Sequence, residues 1–589
     1  MKNFLIYTLA TITGIILSSI LFFVIMIGSL SALITTGEKT ISISEKSVLV
    51  LKAGVPIPDR GDPNPLSGFD PVSFTFTPTP GLNEILANIR KAAKDDKIKG
   101  ILIENGLLAP GWATSDEIRN ALIKFRQSGK FVIAWSDYIL NQEGYFLSTS
   151  ASKIYLNPGT MIEFKGLSGE VLFYKKALDK IGVEIQVIRH GKFKGAVEPY
   201  ILDKLSPENR EQIKDYVGSV WSYVISAISS SRSIPEDKLM KIADNLTATN
   251  TEGALSNGLI DGVIYRDALI DTLKTLSGVK LDDKIQLVPM SKYSKVYDNS
   301  VKYSTRNKIA VIFAEGSIVT GNGTDNRIGG NGYAEIIRDQ RKDTSVKAIV
   351  LRVDSPGGNA VASDIMWREL ELAAKVKPVV VSMGNYAASG GYYISAPATK
   401  IYASPVTISG SIGVFGLIPD AGRLIHDKLG ISTETISTNS FSDFPSVFRP
   451  LSSYEREVMQ KSIEKTYSEF VARVATGRKM NEKSVDSIGQ GRVWTGLRAL
   501  KIGLVDSIGG LEAAISGAAK LANLENYSIR EYPVAEDPFT RLISLFEGEM
   551  RTGFLKKELG DNLKLYEEIK EITGLFGVQA RLPYFIEIH

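Results

Sequence analysis

The chain has 589 residues, 44% of them hydrophobic and 23% charged, which is too long for one core and globular in composition; wholesale disorder and a multi-span transporter are excluded. Net charge is 69 − 65 = +4 without long basic runs, which argues against a nucleic-acid partner. There is no cysteine, and the histidines are only His190, His426 and His589, so a thiol nucleophile, a disulfide framework and a clustered zinc site are excluded.

In chain order, residues 3–37 carry no charge and are strongly apolar between 15 and 27. A membrane-spanning helix needs about 20 apolar residues, whereas the apolar part of a cleaved signal peptide is about 7–15 long. A retained anchor over 1–37 is therefore expected, with a cut after Ser31 as the alternative. Lys2 precedes the run, while Glu38 and Lys39 cancel after it, so the amino terminus is placed in the cytoplasm and the body outside.

The body reads as a duplication. Apolar strands are predicted at 47–53, 99–105 and 131–136, and again at 308–314, 347–353 and 378–383, each set interleaved with helices. A proline-rich loop follows 47–53 and a glycine-rich loop, 316–332, follows 308–314. Gly144-Tyr145-Phe146 matches Gly391-Tyr392-Tyr393, and Lys153-Ile154-Tyr155 matches Lys400-Ile401-Tyr402, at an offset of 391 − 144 = 247 residues. Later, 258–261 (GLID) answers 503–506 (GLVD). Two α/β units with mainly parallel sheets are expected, over 38–306 and 307–550, with 265–306 as the connection. A tail, 551–589, is charged and helical to about 572; its end, 578–589, is expected to add an edge strand or to lie in a substrate groove.

Three segments could carry chemistry. Asp354-Ser355-Pro356-Gly357-Gly358 ends a strand and precedes a helix, where free amides can hold an oxyanion, although such a sequence also makes an ordinary turn. Ala387-Ala388-Ser389-Gly390-Gly391 places a serine between small residues at a strand-to-helix turn, the setting of an exposed nucleophile and equally of a helix N-cap. In His190-Gly191-Lys192-Phe193-Lys194-Gly195-Ala196-Val197-Glu198-Pro199, Lys194 lies between an aromatic and small residues. Desolvation there would turn it into a base; a solvated surface lysine is the other reading. A Ser-His-Asp triad would have to use His190 or His426, and the shortage of histidine points to a base of another type. Aligning the halves sets Lys194 against Ser442 and Ser389 against Gln142, so each half holds one member of a Ser/Lys pair and lacks the other.

Together these features resemble the signal-peptide-peptidase branch of the S49 serine peptidases, in its long, two-repeat form. The resemblance spans nearly the whole chain: the anchor, the two halves, GxxKxAVEP in the first, and DSPGG, ASGGYY and GSIGV in the second. It implies that Lys194 is the general base, Ser389 the nucleophile and Ser411 the residue that orients the lysine. Backbone amides of Gly357 or Gly358 and of Gly390 would form the oxyanion hole. It also implies a crotonase/Clp-protease-like superhelix of ββα units and a reaction without metal or cofactor. The implied substrates are remnant signal peptides and other apolar peptides; the implied setting is a homotetramer on the outer face of a bacterial inner membrane. Gly195 departs from the serine expected after the lysine. Two rivals are a crotonase-type acyl-CoA enzyme and a catalytically silent membrane scaffold.

Overall fold

A computed structural model describes residues 4, 6–8, 10–19, 21, 43–61, 69–70, 75–76, 79–296, 305–324, 327–534 and 577–582. Among these residues no helix is long and apolar enough to cross a membrane. Residues 22–37 of the expected anchor, Pro63, Pro65, Pro71 and Pro78 of the proline-rich loop, and the expected helix up to 572 lie outside the described residues.

Each half builds a largely parallel sheet, because its strands are unbroken apolar runs that can be buried on both faces. Across the first sheet the order is Gly262–Val263, Lys153–Leu156, Phe131–Ser136, Ile98–Glu104, Ser47–Lys52 and Leu287–Pro289, all parallel. Across the second it is Val493–Thr495, Ile408–Gly410, Val379–Ala388, Val346–Ser355, Lys308–Glu315 and Ser528–Tyr532. Only the pairing of Val493–Thr495 with Ile408–Gly410 is antiparallel on that path.

Two expectations need correction. Residues 265–306 are not a plain connection: the helix Arg266–Ser277 buries Leu269 and Leu273, and Leu287–Pro289 forms the edge of the first sheet, as Ser528–Tyr532 does in the second. A three-residue strand ending in proline carries too little pattern to be read from sequence. The glycine-rich stretch 316–332 likewise holds three short strands, Ser317–Val319, Gly323–Thr324 and Arg327–Gly329.

The repeat is visible in matching tertiary bonds. The Tyr145 hydroxyl donates to the Leu259 carbonyl at 2.9 Å, and the Tyr392 hydroxyl to that of Leu504 at 2.8 Å. Asp261 accepts from the Ile154 amide and from Arg232; Asp506 accepts from the Ile401 amide and from Arg478. Both carboxylates thus pin a long helix, Pro207–Arg232 or Ser453–Arg478, to the matching sheet edge.

A third, seven-stranded sheet ties the halves together. Glu184–Arg189 of the first half pairs antiparallel with Phe415–Asp420 of the second over six residues, Arg189 opposite Phe415. The tail strand Gly577–Arg581 lies inside this sheet, between Phe415–Asp420 and Gly357–Asn359, and is not the edge strand offered as one reading of the tail.

The halves are also locked by charge, through a strand of the second sheet. The Arg352 guanidinium, fully buried, makes paired bonds to Asp59 at 2.7 and 2.8 Å and a further one to Glu117 at 2.7 Å. Two carboxylates of the first half therefore face one cation of the second. Burial pushes the Glu117 carboxyl up, and Arg352 offsets that.

Candidate active site

Ser389 sits where the ten-residue strand Val379–Ala388 gives way to the helix Gly390–Ser395. Its backbone is at φ 55°, ψ −113°, a conformation that L-residues avoid and that typically costs about 1–3 kcal/mol. The turn is held by the Ser389 amide donating to the Gly410 carbonyl at 2.8 Å. Small neighbours are required: a methyl group on Gly390 would lie 2.7 Å from Ser363 Oγ, and one on Gly391 2.7 Å from the Ser355 carbonyl oxygen.

The strand is re-aimed just before that turn. Its register against Val346–Ser355 slips, from Val353 opposite Met383 to Ser355 opposite Ala387. The Asp354 carboxylate accepts from the freed amides of Asn385 and Tyr386 at 3.2 and 2.9 Å and from the Asn385 side chain at 3.1 Å. Asn385 in turn accepts from the Ala113 amide, at the start of a first-half helix. Burial beside Asp59 pushes the Asp354 carboxyl up.

Lys194 arrives from the other half and meets this turn. Its Nζ is 2.8 Å from Ser389 Oγ, 2.9 Å from Ser411 Oγ and 3.2 Å from the Ser411 carbonyl oxygen. It has no exposed surface, and burial alone pushes its pKa well below that of an ordinary lysine. A neutral amine has one lone pair and two N–H groups. The two N–H groups suit the Ser411 oxygens and the lone pair suits the Ser389 hydroxyl, so the trio can hand a proton from serine to lysine. Ser389 Oγ also lies 3.3 Å from the Gly413 carbonyl oxygen.

The lysine is clamped by residues that sequence reasoning did not single out. At Gly491, with φ 87°, a methyl group would stand 2.6 Å from the Lys194 amide nitrogen, so only glycine admits the lysine backbone there. The Phe193 amide donates to the Gln490 carbonyl at 3.0 Å, and the Phe415 ring stands 6.0 Å from Lys194 Nζ. The only hint in the sequence is the glycine pair Gly489 and Gly491. Of the histidines, His190 stacks on Tyr467 and His426 bonds to the backbone of Ile431 and the Thr433 hydroxyl; neither contacts Ser389.

Gly390 follows Ser389 directly and Gly357 packs against Gly390, whereas Gly358 lies against the Ile318 backbone. The Gly357 amide donates to Ser355 Oγ at 3.1 Å, and a methyl group on Gly357 would lie 2.6 Å from the Gly390 amide nitrogen. Among the described residues no group of three or more His, Asp or Glu side chains could hold a metal ion.

The matching place in the first half is filled by side chains. Gln142 accepts from the Lys165 and Gly166 amides, both at 2.8 Å, and donates to the Gly166 carbonyl at 2.7 Å. Next to it, the Glu143 carboxyl accepts from the Gly111 amide and Ser115 Oγ, both at 2.6 Å, and burial pushes its pKa up to about 7. Ser442, the residue aligned with Lys194, lies in an exposed loop and bonds to Asn439. One half thus carries the serine turn, and the other delivers the lysine to it.

Such a molecule, a duplicated α/β chain with a serine on a strained strand-to-helix turn and a buried lysine beside it, has the geometry of a serine hydrolase. The family model described as peptidase family S49 matches it twice, over residues 124–280 and 371–525. The chain is 35% identical to Protease 4 of Haemophilus influenzae over 80% of its own length and 78% of that protein's. It is 32% identical to the chloroplastic serine protease SPPA of Arabidopsis thaliana (87% and 76% covered). A shorter relative, a putative signal peptide peptidase SppA of Enterococcus faecium, is 29% identical over 48% of this chain and 79% of its own. The chain belongs to peptidase family S49 and is a serine peptidase.

Proposed function

We propose that this chain is a membrane-anchored endopeptidase that works through Ser389 and Lys194 on remnant signal peptides and other apolar peptides. The observation that carries the reading is the 2.8 Å contact between Lys194 Nζ and Ser389 Oγ, made inside the protein with only hydroxyl and carbonyl oxygens as hydrogen-bond partners of the amine. Neutral Lys194 takes the Ser389 proton as Oγ attacks a peptide carbonyl. Amides of the Gly357-Gly358 turn and of Gly390 receive the developing oxyanion. Lys194 then protonates the leaving amine and activates the water that frees the acyl-enzyme. No step calls for a metal or cofactor. The repeated strand–helix order supports a crotonase/Clp-type superhelix, and the Ser/Lys contact favours a peptidase over the acyl-CoA enzyme and the silent scaffold.

The test is labelling with a fluorophosphonate together with peptide cleavage. Ser389 is expected to carry the label, and Ser389→Ala and Lys194→Ala are expected to cut no apolar peptide; unlabelled Ser389 in folded protein, or full activity without Lys194, sinks the reading.

Two smaller effects follow. Ser411→Ala removes one of the bonds that aim the amine, which should lower kcat roughly 5-fold, since one hydrogen bond is worth about 1 kcal/mol; a pH–rate profile checks it. Gly357→Ala places a methyl group 2.6 Å from the Gly390 amide at a positive φ of 91°. It should cost about 10²–10³-fold in kcat, the usual effect of losing an oxyanion donor.

For the setting, the uncharged run 3–37 supports a single anchor with the body on the outer face. Support for a homotetramer comes from the unmatched half of the repeat. Glu184–Arg189 pairs across the halves, but the corresponding stretch of the second half leaves Ile431, Ile436 (93% exposed) and Phe441 on the surface. On the first half, Leu172 is likewise exposed, in the stretch that corresponds to Phe415–Asp420. Two unused ends of one interface in one chain suit a head-to-tail ring. Light scattering of the purified body tests this; a monomer at micromolar concentration would overturn it.

A further inference from the structure

The helix Trp112–Arg126 of the first half begins without a cap of its own. Its N-cap residue is Gly111, which has no side chain to offer the first free amides. In the second half the corresponding helix, Ala360–Ala374, is capped by its own Asn359, which accepts from the Ala362 amide at 3.0 Å. The cap missing from the first half is supplied by the second. Asn385 Oδ1 accepts from the Ala113 amide at 3.0 Å and from the Thr114 amide at 3.4 Å, and Asn385 Nδ2 donates to Thr114 Oγ1 at 3.1 Å. Glycine is needed at 111 for this approach: at its φ of 106°, a methyl group would lie 2.7 Å from the Asn385 side-chain amide.

Asn385 precedes Ser389 by 389 − 385 = 4 residues and sits in the irregular part of the strand Val379–Ala388. Where the neighbouring strand advances by 355 − 353 = 2 residues, this one advances by 387 − 383 = 4, so residues 384–386 take up the slack. Slack of this kind bends a strand and decides where its end points. Three anchors hold it. The Gly384 carbonyl accepts from Thr407 Oγ1 at 2.8 Å, the Asp354 carboxylate accepts from the Asn385 and Tyr386 amides, and the Asn385 side chain reaches across to the first half. Asn385 Nδ2 also donates to Asp354 at 3.1 Å, which joins the second anchor to the third. Of the three, Asn385 is the one that refers the serine strand to the half carrying Lys194.

We propose that Asn385 is a positioning residue for the peptidase reaction: by capping a first-half helix from the second half, it fixes the serine turn relative to Lys194. The inference rests on the Ser389 and Lys194 reading above. Asn385 itself touches no reacting atom. Its loss leaves the peptide groove in place and lets Ser389 Oγ drift from Lys194 Nζ, so the chemical step slows while binding holds. Misplacing a reacting group by about 1 Å can cost roughly 10²-fold in rate.

Steady-state kinetics on one apolar peptide, together with the time course of fluorophosphonate labelling, test it in Asn385→Ala, Thr114→Val and the double variant. Asn385→Ala is expected to lower kcat roughly 10-fold with KM within about 2-fold of the parent's. It should slow the labelling of Ser389 by the same factor, with every molecule labelled in the end. Thr114→Val keeps the shape of the side chain and removes the oxygen to which Asn385 Nδ2 donates. It should lower kcat by a smaller factor and add nothing to the effect of Asn385→Ala, because the two substitutions cut the same tie. A lower labelling end-point at an unchanged rate would make Asn385 merely structural and overturn the inference. So would an unchanged kcat, a rise in KM at constant kcat, or independent effects of the two substitutions. Should Asn385→Ala fail to fold, Thr114→Val decides alone, on the same split of kcat from KM. If Ser389 of the parent stays unlabelled, the peptidase reading falls first and this inference with it.

Discussion

Lys194→Met is expected to lower kcat/KM by roughly 10⁴-fold or more while flattening the dependence of stability on pH. The loss is of the size seen when one member of a nucleophile–base unit is removed, since the remaining groups cannot activate the hydroxyl alone. The stability effect follows from linkage. Burial holds the Lys194 pKa well below 10.5 in the folded protein, whereas the unfolded chain restores the ordinary value. Between the folded and unfolded values the unfolded state binds one more proton, so the parent gains stability as pH rises through that window. The gain is complete above 10.5 and lost as pH falls through the folded pKa. Methionine has no such proton, so its stability relative to the parent should be greatest at the low end and shrink toward pH 10.5. Denaturant midpoints of both proteins across pH check this, and a constant difference would count against a neutral lysine. For the same reason the parent's kcat should rise with pH through the folded lysine pKa, and a rate still maximal well below neutrality would contradict the mechanism.

Arg352→Met is expected to destabilise the protein by roughly 3–5 kcal/mol, the typical result of removing one partner from a buried ion pair. The methionine fills space, but Asp59 and Glu117, both of the first half, are left buried at the joint without their cation. Burial already pushes the Glu117 carboxyl up, and without Arg352 to offset that it would take up a proton, so the variant should recover stability relative to the parent as pH is lowered toward 5. Because Arg352 lies two residues before Asp354, activity should fall with the packing. Unfolding midpoints at pH 5 and 8 decide the matter: an equal loss at both would show that charge is not the cause.

Much of this was legible in the sequence because it is written in local patterns. The apolar runs announced the parallel sheets, and the repeated glycine–tyrosine segments announced the duplication. Ser389 and Lys194 stood out through their small or apolar neighbours, and Ser411 only through the family resemblance. What stayed hidden depends on contacts between distant residues. Asp59, Glu117 and Arg352 look like ordinary surface charges until folding buries them together. Gly491 explains itself only once the Lys194 backbone lies against it. The Leu287–Pro289 strand is three residues long, and the tail's place in the sheet is set by Gly357–Asn359 and Phe415–Asp420 rather than by its own pattern.

Gln142 and Glu143 fill the first half's version of the serine turn, and the second half's loop carries Ser442 where the first half's carries Lys194. On the proposed mechanism, neither copy of the repeated unit holds a full set of reagents. Deleting, swapping or inverting one copy would therefore leave nothing to select for, and a defect in either copy is felt as loss of the same reaction. Fusion into one chain also fixes the ratio of the two at one to one. Duplications usually give one copy freedom to drift toward a new task; here the division of parts has bound both copies to a shared inheritance.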